Sequence, residues 1–137
     1  MIEVNESQWP LVVFTFSGRV TLSELEAYFA VQEPWLAAER QHVGLVIVRD
    51  LQPWEGAVIR RQAMWMKEHQ NALRRCSRGV ALVLPSLWLK GLLRAVLWLQ
   101  PIPQPHVVCS SVEEAMAWTA ERLRAMGQSA VAAPPGV

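Results

Sequence analysis

Three histidines, two cysteines and several serines are the residues of this chain whose types could carry covalent or acid–base chemistry. Nucleophilic catalysis needs a hydroxyl or thiol beside a base, and an acid to orient that base. The available pieces are Ser86, Ser110, Ser111, Cys76, Cys109, His42, His69, His106 and Asp50. No GxSxG elbow presents any of these serines. Both cysteines fall in apolar segments, where thiols pack as small hydrophobes. Metal binding by histidine calls for HxxxH or HExxH spacing with a carboxylate nearby, and the three histidines are scattered. Gly44, Gly79 and Gly91 stand alone, so no glycine-rich loop cradles a phosphate. We therefore expect no catalytic residue, no metal and no cofactor.

Binding faces are better supplied. In Ser86–Leu99, Lys90 and Arg94 sit one helical turn apart on one edge, and the remaining circumference is almost wholly apolar. A helix covering a sheet needs one apolar stripe, so some of Leu87, Trp88, Leu92, Trp98 and Leu99 should stay exposed unless something covers them. Three uses compete. The first is a homodimer or a partner helix docked on Leu and Trp anchors. The second is in-plane attachment to a membrane, with Trp88 and Trp98 at the interface and Lys90 and Arg94 toward head groups. The third is a pocket for a lipid or small apolar ligand between this helix and the sheet. The plainer reading is a deeply buried helix further covered by Pro101 to Pro105.

A second face is basic. On a helix expected from Trp54 to Cys76, the residues Arg60, Lys67, Asn71, Arg74 and Arg78 share one side, fit for an acidic protein, a phosphate-bearing ligand or lipid head groups. A solvated face opposite the core stripe is the plain alternative, and Trp54 and Trp65 read as packing residues. The loop Asp50 to Gly56, with Gln52, Trp54 and Glu55, is the third candidate, because ligands of open α/β sheets bind beyond the carboxyl ends of strands.

These residues must be placed by regular elements. Leu11–Phe16 is a β-branched and aromatic run closed by Ser17-Gly18, and Ile2–Val4 is a short strand to pair with it. Thr21-Leu22-Ser23-Glu24 has the form of a capping box opening a helix to about Arg40, with Pro34 breaking or kinking it. Val43–Val48 and Gly79–Leu84 are nearly continuous apolar runs, as strands buried on both faces require. Ser86 caps the helix that ends before Pro101, His106–Cys109 forms a last strand, and Ser111-Val112-Glu113-Glu114 caps a helix to about Met126. The order is β-β-α-β-α-β-α-β-α, an α/β fold with a four- to five-stranded mixed, mostly parallel sheet and about four helices. One domain covers residues 1–127, and residues 128–137 read as a flexible C-terminal tail.

At 137 residues with 52% hydrophobic and 18% charged side chains, the chain can bury a full core and is not of disordered composition. A net charge of +1 argues against nucleic acid as a partner, although residues 1 to 56 carry net −5 and residues 57 to 137 net +6. Without CxxC spacing or a signal-peptide pattern, the expected compartment is the cytoplasm. Leu87–Leu99 is the longest apolar stretch and is shorter than the roughly 20 residues that span a bilayer.

The element order, with the closing Val107-Val108-Cys109-Ser110-Ser111-Val112-Glu113-Glu114-Ala115-Met116-Ala117-Trp118, resembles the SpoIIAA-like branch of the STAS superfamily over residues 9 to 124. The resemblance implies a STAS-like domain, a bacterial-type regulatory module that binds protein partners and does no catalysis. In that family a Ser or Thr at the start of the helix after the third strand takes a phosphate. Here the place reads Asp50-Leu51-Gln52-Pro53-Trp54-Glu55-Gly56, which has no hydroxyl to accept one. Glu55 is either a permanent anion at that helix start or an ordinary first-turn glutamate.

Overall fold

The computed structural model describes residues 1–127; the tail expected at 128–137 lies outside the described residues. The chain begins with the antiparallel strands β1 (Ile2–Gln8) and β2 (Leu11–Gly18), in register Ile2 to Phe16 and Val4 to Phe14. It continues through α1 (Leu22–Ala37), β3 (His42–Leu51), α2 (Gly56–Glu68), α3 (Gln70–Cys76), β4 (Ser77–Val83), α4 (Leu87–Leu99), β5 (His106–Cys109) and α5 (Val112–Ala125). The strands stand side by side in sequence order, and every pair after the first is parallel.

That order decides where the helices go. Right-handed crossovers in a sheet traversed in one direction put all connecting helices on one face. Accordingly, Val12, Phe14, Phe16 and Val46 share a core with Leu25 and Phe29 of α1, Trp65 of α2, Cys76 of α3, and Leu89 and Val96 of α4. On the opposite face Leu45, Ile47, Ala81 and Val83 pack with Ala115 and Leu123 of α5. Both faces are covered, which is why β2, β3 and β4 read as nearly unbroken apolar runs. The three cap residues act as their types require: Thr21 Oγ1 accepts from the Glu24 amide (3.1 Å), Ser86 Oγ from Leu89 (3.4 Å) and Ser111 Oγ from Glu114 (3.3 Å).

Four local expectations are corrected. β1 runs on to Gln8 instead of stopping at Val4. β3 runs past the expected Val43–Val48 to Leu51; a bulge shifts the register so that Gly18 pairs with Leu51, and Asp50 absorbs it at φ 48°, a conformation Asp tolerates better than most residues. Pro34 neither breaks nor ends α1, because it lies in the last turn, where buried Trp35 and Leu36 hold the backbone in place. The long helix expected from Trp54 to Cys76 is two helices, so there are five among the described residues. At His69 the ring Nδ1 bonds the Trp65 carbonyl (3.0 Å) and the ring stacks on the Trp65 indole, with centroids 4.6 Å apart. The break lets α3 pack on α1 and bring Ser77 opposite His42.

His42 is buried between Trp9 and Trp35, with ring centroids 5.5 and 5.4 Å away, and its Nδ1–H donates to the Arg40 carbonyl at 3.0 Å. Burial pushes its pKa below the ordinary imidazole value, the Arg40 carbonyl opposing that shift and the Arg40 charge adding to it. The unfolded chain therefore binds a proton here before the folded one does. Stability is full above the ordinary imidazole pKa of about 6.5 and declines as pH falls below it. Urea denaturation at pH 7.5 and 5.5 should show this decline, and His42→Gln should flatten it.

Candidate functional site

Ser86 starts α4, and the helix then divides by period: Leu89 and Val96 are buried, Leu92 and Leu93 are half-buried, and Leu87, Trp88, Arg94, Trp98 and Leu99 face solvent. Its backbone packs mainly against α2 and not the sheet. Leu89, Leu92, Leu93 and Val96 therefore reach across a gap toward Val46 and Val48 of β3 and Val80 and Leu82 of β4. The gap is a cavity of about 150 Å³, partly open to solvent and lined also by Trp54 before α2, by Tyr28 of α1, and by Ile102 and Gln104 of the proline-rich loop. A hole of roughly that size in an apolar core accommodates a benzene ring.

Three polar residues stand among the apolar lining. Trp54 Nε1, Gln62 Oε1 and Gln104 Oε1 are each buried without a hydrogen-bond partner, and other atoms of these residues border the cavity. One is a donor and two are acceptors. A buried unpaired group of this kind costs about 1–3 kcal/mol, so three around one cavity mark a place where a partner molecule would repay the cost. No Asp, Glu, Lys, Arg or His lines the space. Tyr28 remains a neutral phenol, since burial pushes its pKa up to about 12 against a weaker lowering by Gln32. The cavity is thus uncharged, apolar along its length and hydrogen-bonding at a few points, suited to a neutral guest.

Several of the groups considered for catalysis are engaged elsewhere. Ser86 and Ser111 cap helices, His69 bonds the Trp65 carbonyl and His106 the Gln104 carbonyl (3.3 Å). Cys76 and Cys109 are buried, and that burial pushes both thiols up, away from the reactive thiolate. Among the described residues no three His, Cys, Asp or Glu side chains gather as a metal would need, and no helix is long and apolar enough to cross a membrane.

The candidate residues separate into distinct places. Leu87, Trp88 and Trp98 lie on the outer side of α4, with Arg94 exposed beside them and Lys90 half-buried. Leu92 is corrected: it lines the cavity and is no part of an outer face. In the loop after β3 only Trp54 reaches the cavity. Asp50 and Gln52 are exposed, the Gln52 amide donating to the Gly18 carbonyl (2.9 Å). Glu55 takes the N-cap position of α2 without a side-chain cap bond, and its carboxylate pairs with Arg19 at 3.0 Å. The basic face does not survive as one surface. Arg60 and Lys67 are on α2, Arg74 is on α3 beyond the break, and Arg78 is in β4, donating to Gln41 Oε1 (3.1 Å). Gln62, Gln104, Tyr28 and Ile102 were not legible as site residues. The one available signal was Gln62, a polar residue one turn before Met66 on the otherwise apolar side of its helix.

No family model matches the chain, and no curated protein is similar to it in sequence. Among solved structures, an uncharacterized protein of the DUF3478 family from Shewanella loihica PV-4, described as having a SpoIIAA-like fold, superposes with a TM-score of 0.64. The two share 17% identity over 87% of this chain and 92% of that one. The fold of this chain is SpoIIAA-like, a mixed five-stranded sheet with one antiparallel pair and five helices.

Proposed function

We propose that this SpoIIAA-like domain is a non-enzymatic binding module whose ligand is a small neutral molecule with an apolar body and a hydrogen-bonding end, held beneath α4. The observation that carries the reading is one apolar cavity lined by Trp54, Gln62 and Gln104, whose Nε1, Oε1 and Oε1 are buried and unpartnered within side-chain reach of a guest. A phenol or an alcohol can donate to Gln62 or Gln104 and accept from Trp54. A carboxylate has no cation to meet it there. At about 0.6 kcal/mol per heavy atom, between the drug-sized value and the ceiling for the smallest ligands, a guest the size of p-cresol binds with a Kd of roughly 0.3 mM.

Native mass spectrometry of the freshly purified protein, followed by calorimetric titration with p-cresol and with benzoate, tests this. Retained small mass, or binding of the cresol with benzoate excluded, is the expected result. Equal binding of both compounds, or of neither, would overturn it. The alternative use of the chain, a protein-interaction module or homodimer acting through the outer side of α4, would appear in the same spectra as a dimer without small mass.

Gln62→Leu sharpens the test, because it removes an unpaired buried oxygen while conserving bulk. The ligand-free protein should gain about 1–2 kcal/mol in urea denaturation, and affinity for the cresol should fall roughly tenfold. A loss of stability would show that the Gln62 oxygen has a partner after all.

A further inference from the structure

We infer that the outer surface of the helix layer, made by the exposed sides of α2 and α4, docks on an anionic lipid bilayer. This surface is separate from the cavity and does not depend on what the cavity holds. On α4, Leu87 and Trp98 are 86% and 87% exposed, with Trp88 and Leu99 about half exposed, so large apolar side chains stand in water at both ends of the helix. Positions 87, 91, 94 and 98 recur at helical spacing and form one stripe roughly 16 Å long. Because α2 and α4 lie side by side on the same face of the sheet, their solvent-facing sides point the same way. α2 adds Met64, 57% exposed, between Arg60 and Lys67.

Charge selects the occupant. Arg60, Lys67, Lys90 and Arg94 form no salt bridge among the described residues. The single carboxylate of the two helices, Glu68, is held by Arg61 at 3.2 Å. A second copy of the chain fits poorly, since an isologous interface would set these cations against their own counterparts with no carboxylate to pair them. An anionic bilayer fits both parts of the surface. Its head groups take the cations, and its interfacial zone takes indole rings and leucines lying in the membrane plane.

Flotation of the full chain with vesicles tests the assignment, comparing mixed phosphatidylglycerol and phosphatidylcholine with phosphatidylcholine alone, at low and high salt. Binding to the anionic vesicles at low salt is expected, at least tenfold weaker on neutral vesicles or in high salt. Arg94→Glu, a change of two charges on an exposed side chain, should weaken it roughly thirtyfold. Trp98→Glu should abolish it, with circular dichroism unchanged in both variants. Leu92→Trp, which alters only the cavity side, should float like the wild type. Equal flotation with neutral vesicles, no flotation at low salt, as an acidic protein partner would give, or indifference to Arg94→Glu and Trp98→Glu overturns the proposal.

Discussion

Gly79→Ala should lower folding stability by about 3 kcal/mol, a large share of the 5–15 kcal/mol that holds an ordinary domain together. Gly79 sits in β4 at φ 156°, a backbone conformation that side chains rarely adopt. A Cβ placed there would lie 2.6 Å from Cη2 and 2.9 Å from Cζ3 of the Trp118 indole. Arg122 crowds the same spot: its Nε, which donates to the Arg78 carbonyl at 2.7 Å, would lie 3.3 Å from the added Cβ. Backbone strain and overpacking therefore add, at about 1–3 kcal/mol each. Thermal unfolding should shift down by roughly 10 °C. In a Trp118→Ala background the overpacking share of the cost should disappear and the backbone strain should remain, and a double-mutant cycle reads that coupling directly. A Tm within a degree of wild type for Gly79→Ala alone would mean that α5 does not approach β4 so closely.

The largest effect on binding is expected from Leu92→Trp. Leu92 projects from α4 into the cavity, and the exchange adds six heavy atoms where about 150 Å³ is free. The new indole occupies the space meant for the ligand, so affinity for p-cresol should fall at least a hundredfold. Folding stability should stay within about 1.5 kcal/mol, because the added volume goes into a hole and not into packed core. Calorimetric titration and urea denaturation of the same preparation separate the two quantities. Undiminished binding would place the ligand elsewhere. Unfolding of the variant would show that the cavity cannot take an indole ring, and Gln62→Leu would then carry the test of the site alone.

The parts of the fold legible in the sequence are those governed by neighbours along the chain. Thr21, Ser86 and Ser111 each cap the helix expected of them, because an N-cap bond joins residues only three positions apart. α4 and β5 match the expected ranges to the residue, and the buried runs at Val43–Val48 and Gly79–Val83 are central strands as their apolar continuity requires. With four strands separated by helices, the hand of the crossovers already restricts the sheet to few orders. The sequence also indicated that some of Leu87, Trp88, Leu92, Trp98 and Leu99 would stay exposed, and all but Leu92 do.

What the sequence could not carry depends on residues far apart in the chain. The break at His69 answers the need to bring Ser77 beside His42, and the bulge at Asp50 answers the register of a strand some thirty residues earlier. Leu92 looks the same in sequence whether it faces a partner or a hole. The distance between α4 and the sheet decides that, and α2 sets the distance. Trp54, Gln62 and Gln104 come from a loop, a helix and a proline-rich connection, and nothing local in any of them indicates an unpaired polar atom. Periodicity, capping and strand burial are properties of short windows, so the sequence by itself determined the elements and the fold class. A cavity is a place where packing fails to close, and packing is a property of the whole chain, so only the tertiary structure decided the site.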